Sequence, residues 1–147
     1  MPSFEKTFTL HVPSSTEHLA LIRDFVGAIG AKSGLDENEI TKIILAVDEA
    51  VANVIEHAYG SDDTREVTIR AVLDEETVTF EIIDNGRGFD PGLVRPKDLE
   101  QLVKERRSGG LGLRLIRTVM DDVKYQIVPG QKNELKMVKR LKKLEKP

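Results

Sequence analysis

Ile40, Ile43, Ile44, Val47, Val51, Val54, Ile55 and Ala58 recur with a nearly unbroken helical period, the mark of a helix with one apolar side. Glu49, Asn53 and Glu56 fall on the opposite side. Such a helix needs a second apolar layer, because alone it would leave its stripe in water. Asp36 and Glu39 form a capping box at its start. A shorter helix precedes it, opened by Ser14 with Glu17, facing Leu19, Ile22, Val26 and Ile29 inward, and bracketed at its end by Gly30 and Gly34.

The second layer is read from alternation. Residues 4–12 place Phe4, Phe8, Leu10 and Val12 between polar neighbours, a strand that Pro13 ends. Val67, Ile69, Ala71 and Leu73 alternate again. Asp74-Glu75-Glu76 forms a hairpin turn into a strand with Val78, Phe80 and Ile82 on one face. A loop follows through Pro91 and Pro96, with a short helix at Lys97–Lys104. Gly109–Gly112 leads into a helix at Leu113–Met120, and strands fit Val123–Val128 and Glu134–Leu141. The expectation is an α+β two-layer sandwich, helices on one face of a mixed, mostly antiparallel sheet.

With 147 residues, the chain is expected to form a single domain over 1–147. The absence of cysteine excludes thiolate nucleophiles and cysteine-based zinc sites. His11, His18 and His57 lack ligand spacing. A net charge of −3 argues against direct nucleic-acid binding, which neutralises many phosphates. The basic stretch Lys136–Lys146 reads as an edge strand with a solvated tail. No membrane-spanning run or signal-peptide pattern is seen, so the expected compartment is the cytoplasm.

Three separated segments carry chemistry. Glu49 and Asn53 are i and i+4 and point the same way from the long helix. Ala46 and Ala50 beside them suggest a shallow shelf for a ligand. Mg²⁺ takes one or two protein oxygens and completes its shell with phosphates and water. Asn53 can supply a carbonyl oxygen, and Glu49 can act as a general base or hold a water. The pair alone also fits a solvated helix face.

Asp84 shares the parity of Val78, Phe80 and Ile82, which puts its carboxylate on the buried face. Burial there requires hydrogen bonds. The amino group of adenine could supply one; so could the backbone of Asp84's own turn. Gly86 and Gly88 permit close approach of backbone to a ring or phosphate. Gly110 and Gly112 stand where helix N–H groups and the dipole favour a triphosphate. Residues 87–107, with six Lys/Arg against four Asp/Glu, could form a lid, with Arg106 or Arg107 reaching the γ-phosphate; an ordinary surface loop would look the same. Together the three parts read as an ATP–Mg²⁺ site. Neither a P-loop, a Rossmann fingerprint nor the eukaryotic kinase motifs are present.

These residues resemble a known family. Asp48-Glu49-Ala50-Val51-Ala52-Asn53-Val54-Ile55-Glu56-His57-Ala58-Tyr59 resembles the N box of the GHKL ATPase superfamily. Asp84-Asn85-Gly86-Arg87-Gly88-Phe89 resembles its adenine box, and Gly109–Leu113 its glycine-rich lid box. The short lid and the run from Arg107 to Leu113 are most similar to the bacterial anti-sigma factor serine/threonine kinases. The resemblance implies the Bergerat-type ATP-binding fold and partner switching. Such a protein sequesters a sigma factor and, with ATP and Mg²⁺, phosphorylates a serine of a STAS-domain anti-anti-sigma protein. It implies Glu49 as catalytic base, Asn53 as Mg²⁺ ligand and Asp84 as adenine reader. Gly86, Gly88, Arg107, Gly110, Leu111 and Gly112 would shape the rest of the pocket. A homodimer through the N-terminal strand and helix is implied as well. One departure stands out: where the family commonly has Gly-Thr, this chain reads Lys132-Asn133, so Asn133 would replace the threonine at the adenine end. Two rivals remain, a nucleotide-binding regulatory module without phosphotransfer and a detached histidine-kinase catalytic domain.

Overall fold

Phe8, Leu10 and Val12 of β1 (Lys6–Pro13) stand opposite Ala71, Ile69 and Val67 of β2 (Glu66–Leu73). In this computed structural model, residues 5–55, 65–85, 111–128 and 132–141 are described. β2 pairs with β3 (Thr77–Asp84), β3 with β5 (Lys132–Arg140), and β5 with β4 (Asp122–Val128). The order is β1-β2-β3-β5-β4, and among the described residues all four pairings are antiparallel, in line with the mostly antiparallel sheet expected. β5 therefore lies inside the sheet, and the edge-strand reading of the basic stretch is corrected: β4 returns as a hairpin and covers it. Residues 142–147 lie outside the described part.

Register converts alternation into rows on the helix-facing side. Phe8, Ala71, Phe80, Met137 and Val123 form one row, and Leu10, Ile69, Ile82, Leu135 and Tyr125 the next. The row beyond contains Val12, Val67, Asp84 and Asn133. Ile69, Phe80, Ile82 and Met137 are buried. Each such side chain contributes about 2 kcal/mol by leaving water.

Helices α1 (Leu19–Lys32), α2 (Glu37–Asn53) and α3 (Leu111–Val119) form the second layer. α2 packs between α1 and α3. Its N-cap is the expected one, since Asp36 accepts the Glu39 backbone N–H at 2.8 Å. The cap before α1 is not. Ser15, rather than Ser14, accepts from the Glu17 N–H and opens a 3₁₀ turn at Thr16–His18. Ser14 is buried and its N–H donates to the Arg65 carbonyl, so the chain uses it to anchor the end of β1.

α1 ends as its glycines suggest. Gly34 has φ +79°, the Leu35 N–H reaches the Gly30 carbonyl and the Gly34 N–H the Ala31 carbonyl. This is a Schellman motif. α3 begins at Leu111, two residues before the expected start, and β5 at Lys132, likewise two early. The extension of β5 brings Asn133 into the ladder.

Candidate functional site

The site is organised by the end of β3. Asp84 is 3% exposed and Asn133, its cross-strand partner, 5%. The Asn133 Nδ2 donates to Asp84 Oδ1 at 2.9 Å. A buried carboxylate is tolerated only when hydrogen-bonded, and this bond also fixes its orientation. A carboxylate offers several lone-pair positions that accept hydrogen bonds, the chemistry that suits an adenine amino group.

Of the other candidate residues, Glu49, Asn53, Leu111 and Gly112 stand on turns of helices whose far ends are fixed at the opposite end of the sheet. There Lys139, paired with Val78 at the start of β3, donates to the Val119 carbonyl at 3.2 Å and approaches Glu39 at 4.0 Å. The C-terminus of α3 and the N-terminus of α2 thus sit together over the start of β3. α2 spans roughly 25 Å and β3 about the same, so the C-terminal turns of α2 and the N-terminus of α3 are directed toward Asp84. Glu49 and Asn53 occupy those turns of α2, one above the other and half-buried. Leu111 and Gly112 form the first turn of α3.

One expectation about this surface is corrected. Ala46 and Ala50 are fully buried and form no shelf. α2 is packed against α1, α3 and the sheet, so its small residues serve close packing, while the Glu49–Asn53 strip stays half-buried. Beside that strip, the Arg23 guanidinium grips Asp48 with two bonds of 3.1 Å, tying α1 to α2. The same bonds raise the Arg23 pKa above its ordinary value.

Asn53 and Glu49 present oxygen donors of the kind Mg²⁺ accepts. Among the described residues, no three His, Cys, Asp or Glu side chains group to hold an ion. An ion held through Asn53 would need phosphate and water oxygens as its remaining ligands. Gly86, Gly88, Arg106, Arg107 and Gly110 lie outside the described residues, as do Glu56, His57 and the short helix expected at Lys97–Lys104.

A model of the histidine kinase-like ATPase domain matches residues 12–139. A serine-protein kinase RsbW of Listeria monocytogenes serotype 4a (strain HCC23) is 32% identical over 134 residues, covering 88% of this chain and 85% of that protein. The chain belongs to the serine-protein kinase branch of the histidine kinase-like ATPase family. The serine-protein kinase RsbW of Bacillus licheniformis is 36% identical over 123 residues, 80% of this chain and 76% of that one. The fold also matches the RsbU and RsbW domains of Rv1364c from Mycobacterium tuberculosis. There the TM-score is 0.66 at 17% identity, over 92% of this chain and 32% of that longer one.

Within this family fold, two features were not singled out in the sequence. Tyr125 sits on the helix-facing side of β4, opposite Leu135, yet is 49% exposed. Its pKa is pushed up to about 12, by desolvation first and the Asp84 charge second. Only the parity of Val123 and Tyr125 hints at this placement. On the other sheet face, Glu81 lies 3.4 Å from Arg70 and bonds Glu134. Burial and Glu134 raise the Glu81 pKa, whereas the proton shared from Glu81 lowers that of Glu134.

Proposed function

We propose that this chain transfers the γ-phosphoryl group of ATP to a serine of a STAS-type anti-anti-sigma protein, and sequesters a sigma factor in alternation with that substrate. The carrying observation is the buried Asp84–Asn133 pair at the end of the sheet toward which Glu49, Asn53 and the N-terminus of α3 are directed. The family membership supports the chemistry, and the resemblance of the three boxes supports the partners.

Asp84 accepts from the adenine amino group, with Asn133 holding its carboxylate in place. Asn53 would hold Mg²⁺, which when bound would supply charge neutralisation at the phosphates. The first N–H groups of α3 receive phosphate oxygens. Gly86, Gly88, Arg107, Gly110, Leu111 and Gly112 complete the pocket. Glu49 takes the serine hydroxyl proton as its Oγ bonds to the γ-phosphorus. The bond to the β–γ bridging oxygen breaks and ADP leaves. Positioning and charge stabilisation supply most of the catalysis in such a transfer.

The phosphorylated antagonist dissociates, and the sigma factor is bound in its place. The working unit is a single domain in the cytoplasm, and it acts as a homodimer; the position of β1 at a sheet edge supports pairing there. No helix among the described residues is long and apolar enough to cross a membrane.

The test incubates the protein with γ-labelled ATP, Mg²⁺ and a STAS-domain protein from the same organism. Label on a serine of that protein is the expected result. ATP binding with no transfer would leave a nucleotide-binding regulator instead.

A further inference from the structure

We propose that Tyr125 closes the base end of the nucleotide site, its ring lying beside the nucleobase held at Asp84. The inference rests on the nucleotide reading above and adds a residue that none of the three sequence boxes contains. Three observations carry it. First, Tyr125 lies on the same sheet face as Asp84, in the adjacent row, diagonal to Asn133. Second, every other member of its row that the register defines, Leu10, Ile69, Ile82 and Leu135, is aliphatic and buried or half-buried. Tyr125 alone in that row is half exposed, although it faces the helix layer.

Third, the Tyr125 phenol lies close enough to Asp84 to feel its charge. Desolvation acts at the phenol oxygen and is the first cause of its raised pKa, with the Asp84 charge second. Tyr125 thus stands within the field of the Asp84 carboxylate while about half of the residue is open to solvent. A neutral phenol suits a place near a polyanion, where a phenolate would be repelled. A half-exposed aromatic residue near the base-reading carboxylate fits a planar heterocycle, because rings stack on nucleobases whatever their sequence of edge groups.

The chain has no tryptophan and two tyrosines, so tyrosine emission and phenolate absorbance can be followed directly. Wild type and Tyr125→Phe are titrated with ATP, ADP and inorganic tripolyphosphate, with affinity measured in parallel by calorimetry. ATP and ADP should change the emission and phenol titration of the wild type, with the calorimetric midpoint. That change should vanish in Tyr125→Phe. Tripolyphosphate should leave the signal unaltered, which separates base contact from a phosphate field. Tyr125→Leu should weaken ATP about fivefold, the lower end for one stacked ring, without weakening tripolyphosphate. ATP binding that leaves the Tyr125 signals and the Tyr125→Leu affinity unchanged overturns this inference alone. Absence of ATP binding to the wild type overturns the nucleotide reading with it.

Discussion

Asp84 and Asn133 meet across β3 and β5, 2.9 Å apart from Oδ1 to Nδ2, in a row that the register completes with Val12, Val67 and Ile127. A polar pair in an apolar row is held by mutual satisfaction. Removing the amide leaves a buried carboxylate short of a donor. Asn133→Leu should therefore cost about 2 kcal/mol in urea unfolding, and Asn133→Thr distinctly less. Asp84→Leu combined with Asn133→Leu should cost less than the sum of the two single changes, the sign of direct coupling. Additive losses would show that the pair does not act as a unit.

Glu49 and Asn53 share one strip of α2 and are assigned different work, so their variants should separate. Glu49→Gln keeps shape and loses the base; calorimetry should find ATP bound within about twofold of wild type, with phosphotransfer down by about 10²-fold or more. Asn53→Ala should lose the Mg²⁺ dependence of ATP binding. The comparison is affinity with Mg²⁺ against affinity in excess chelator. Equal ratios in Asn53→Ala and wild type would remove Asn53 from the metal, and normal transfer by Glu49→Gln would remove the base assignment.

The apolar periods made the layers legible, because helix and strand burial write themselves directly into spacing. The Asp36 cap and the Gly34 terminus were readable for the same reason: each depends on neighbours a few residues away. Strand order and the Asp84–Asn133 contact were not, since residues 49 positions apart meet only through β5 crossing to the side of β3. The shelf expected at Ala46 and Ala50 failed on a similar point. Small size on a helix fits an open groove and a tight helix crossing equally, and only the position of α1 and α3 decides. Tyr125 was missed because alternation gives the face of a strand and not how far the helix layer reaches.

Glu81 and Glu134 place two carboxyls together on the outer sheet face, with Arg70 and Lys132 beside them. Glu81 has its pKa raised, so the stability it provides is complete below the unfolded carboxyl value and is lost as pH rises through the folded one. At neutral pH the ionised Glu81 works against the fold, whereas Glu134 is favoured as a carboxylate. Glu81→Gln should raise the urea midpoint at pH 7, and the gain should shrink toward zero near pH 4. Solvent screening keeps the effect modest. A midpoint lowered at pH 7 would mean that the attraction to Arg70 outweighs the repulsion.

Asp74 gives the opposite sign in the hairpin between β2 and β3. Its carboxylate accepts the backbone N–H groups of Glu76 and Thr77, each at 2.7 Å, and the Thr77 hydroxyl at 3.2 Å. The two backbone bonds lower its pKa. A lowered carboxyl contributes stability that is present above the unfolded value, about 3.9, and is lost as pH falls through the folded one. Asp74→Ala should therefore lower stability at pH 7 by about 1 kcal/mol, the worth of such a turn bond in partial solvent. Urea curves of Asp74→Ala and wild type should converge as pH is taken below 4, since protonation has by then removed from the wild type what the substitution removed. A gap that persists undiminished to pH 2 would assign the effect to packing of the turn rather than to the charge.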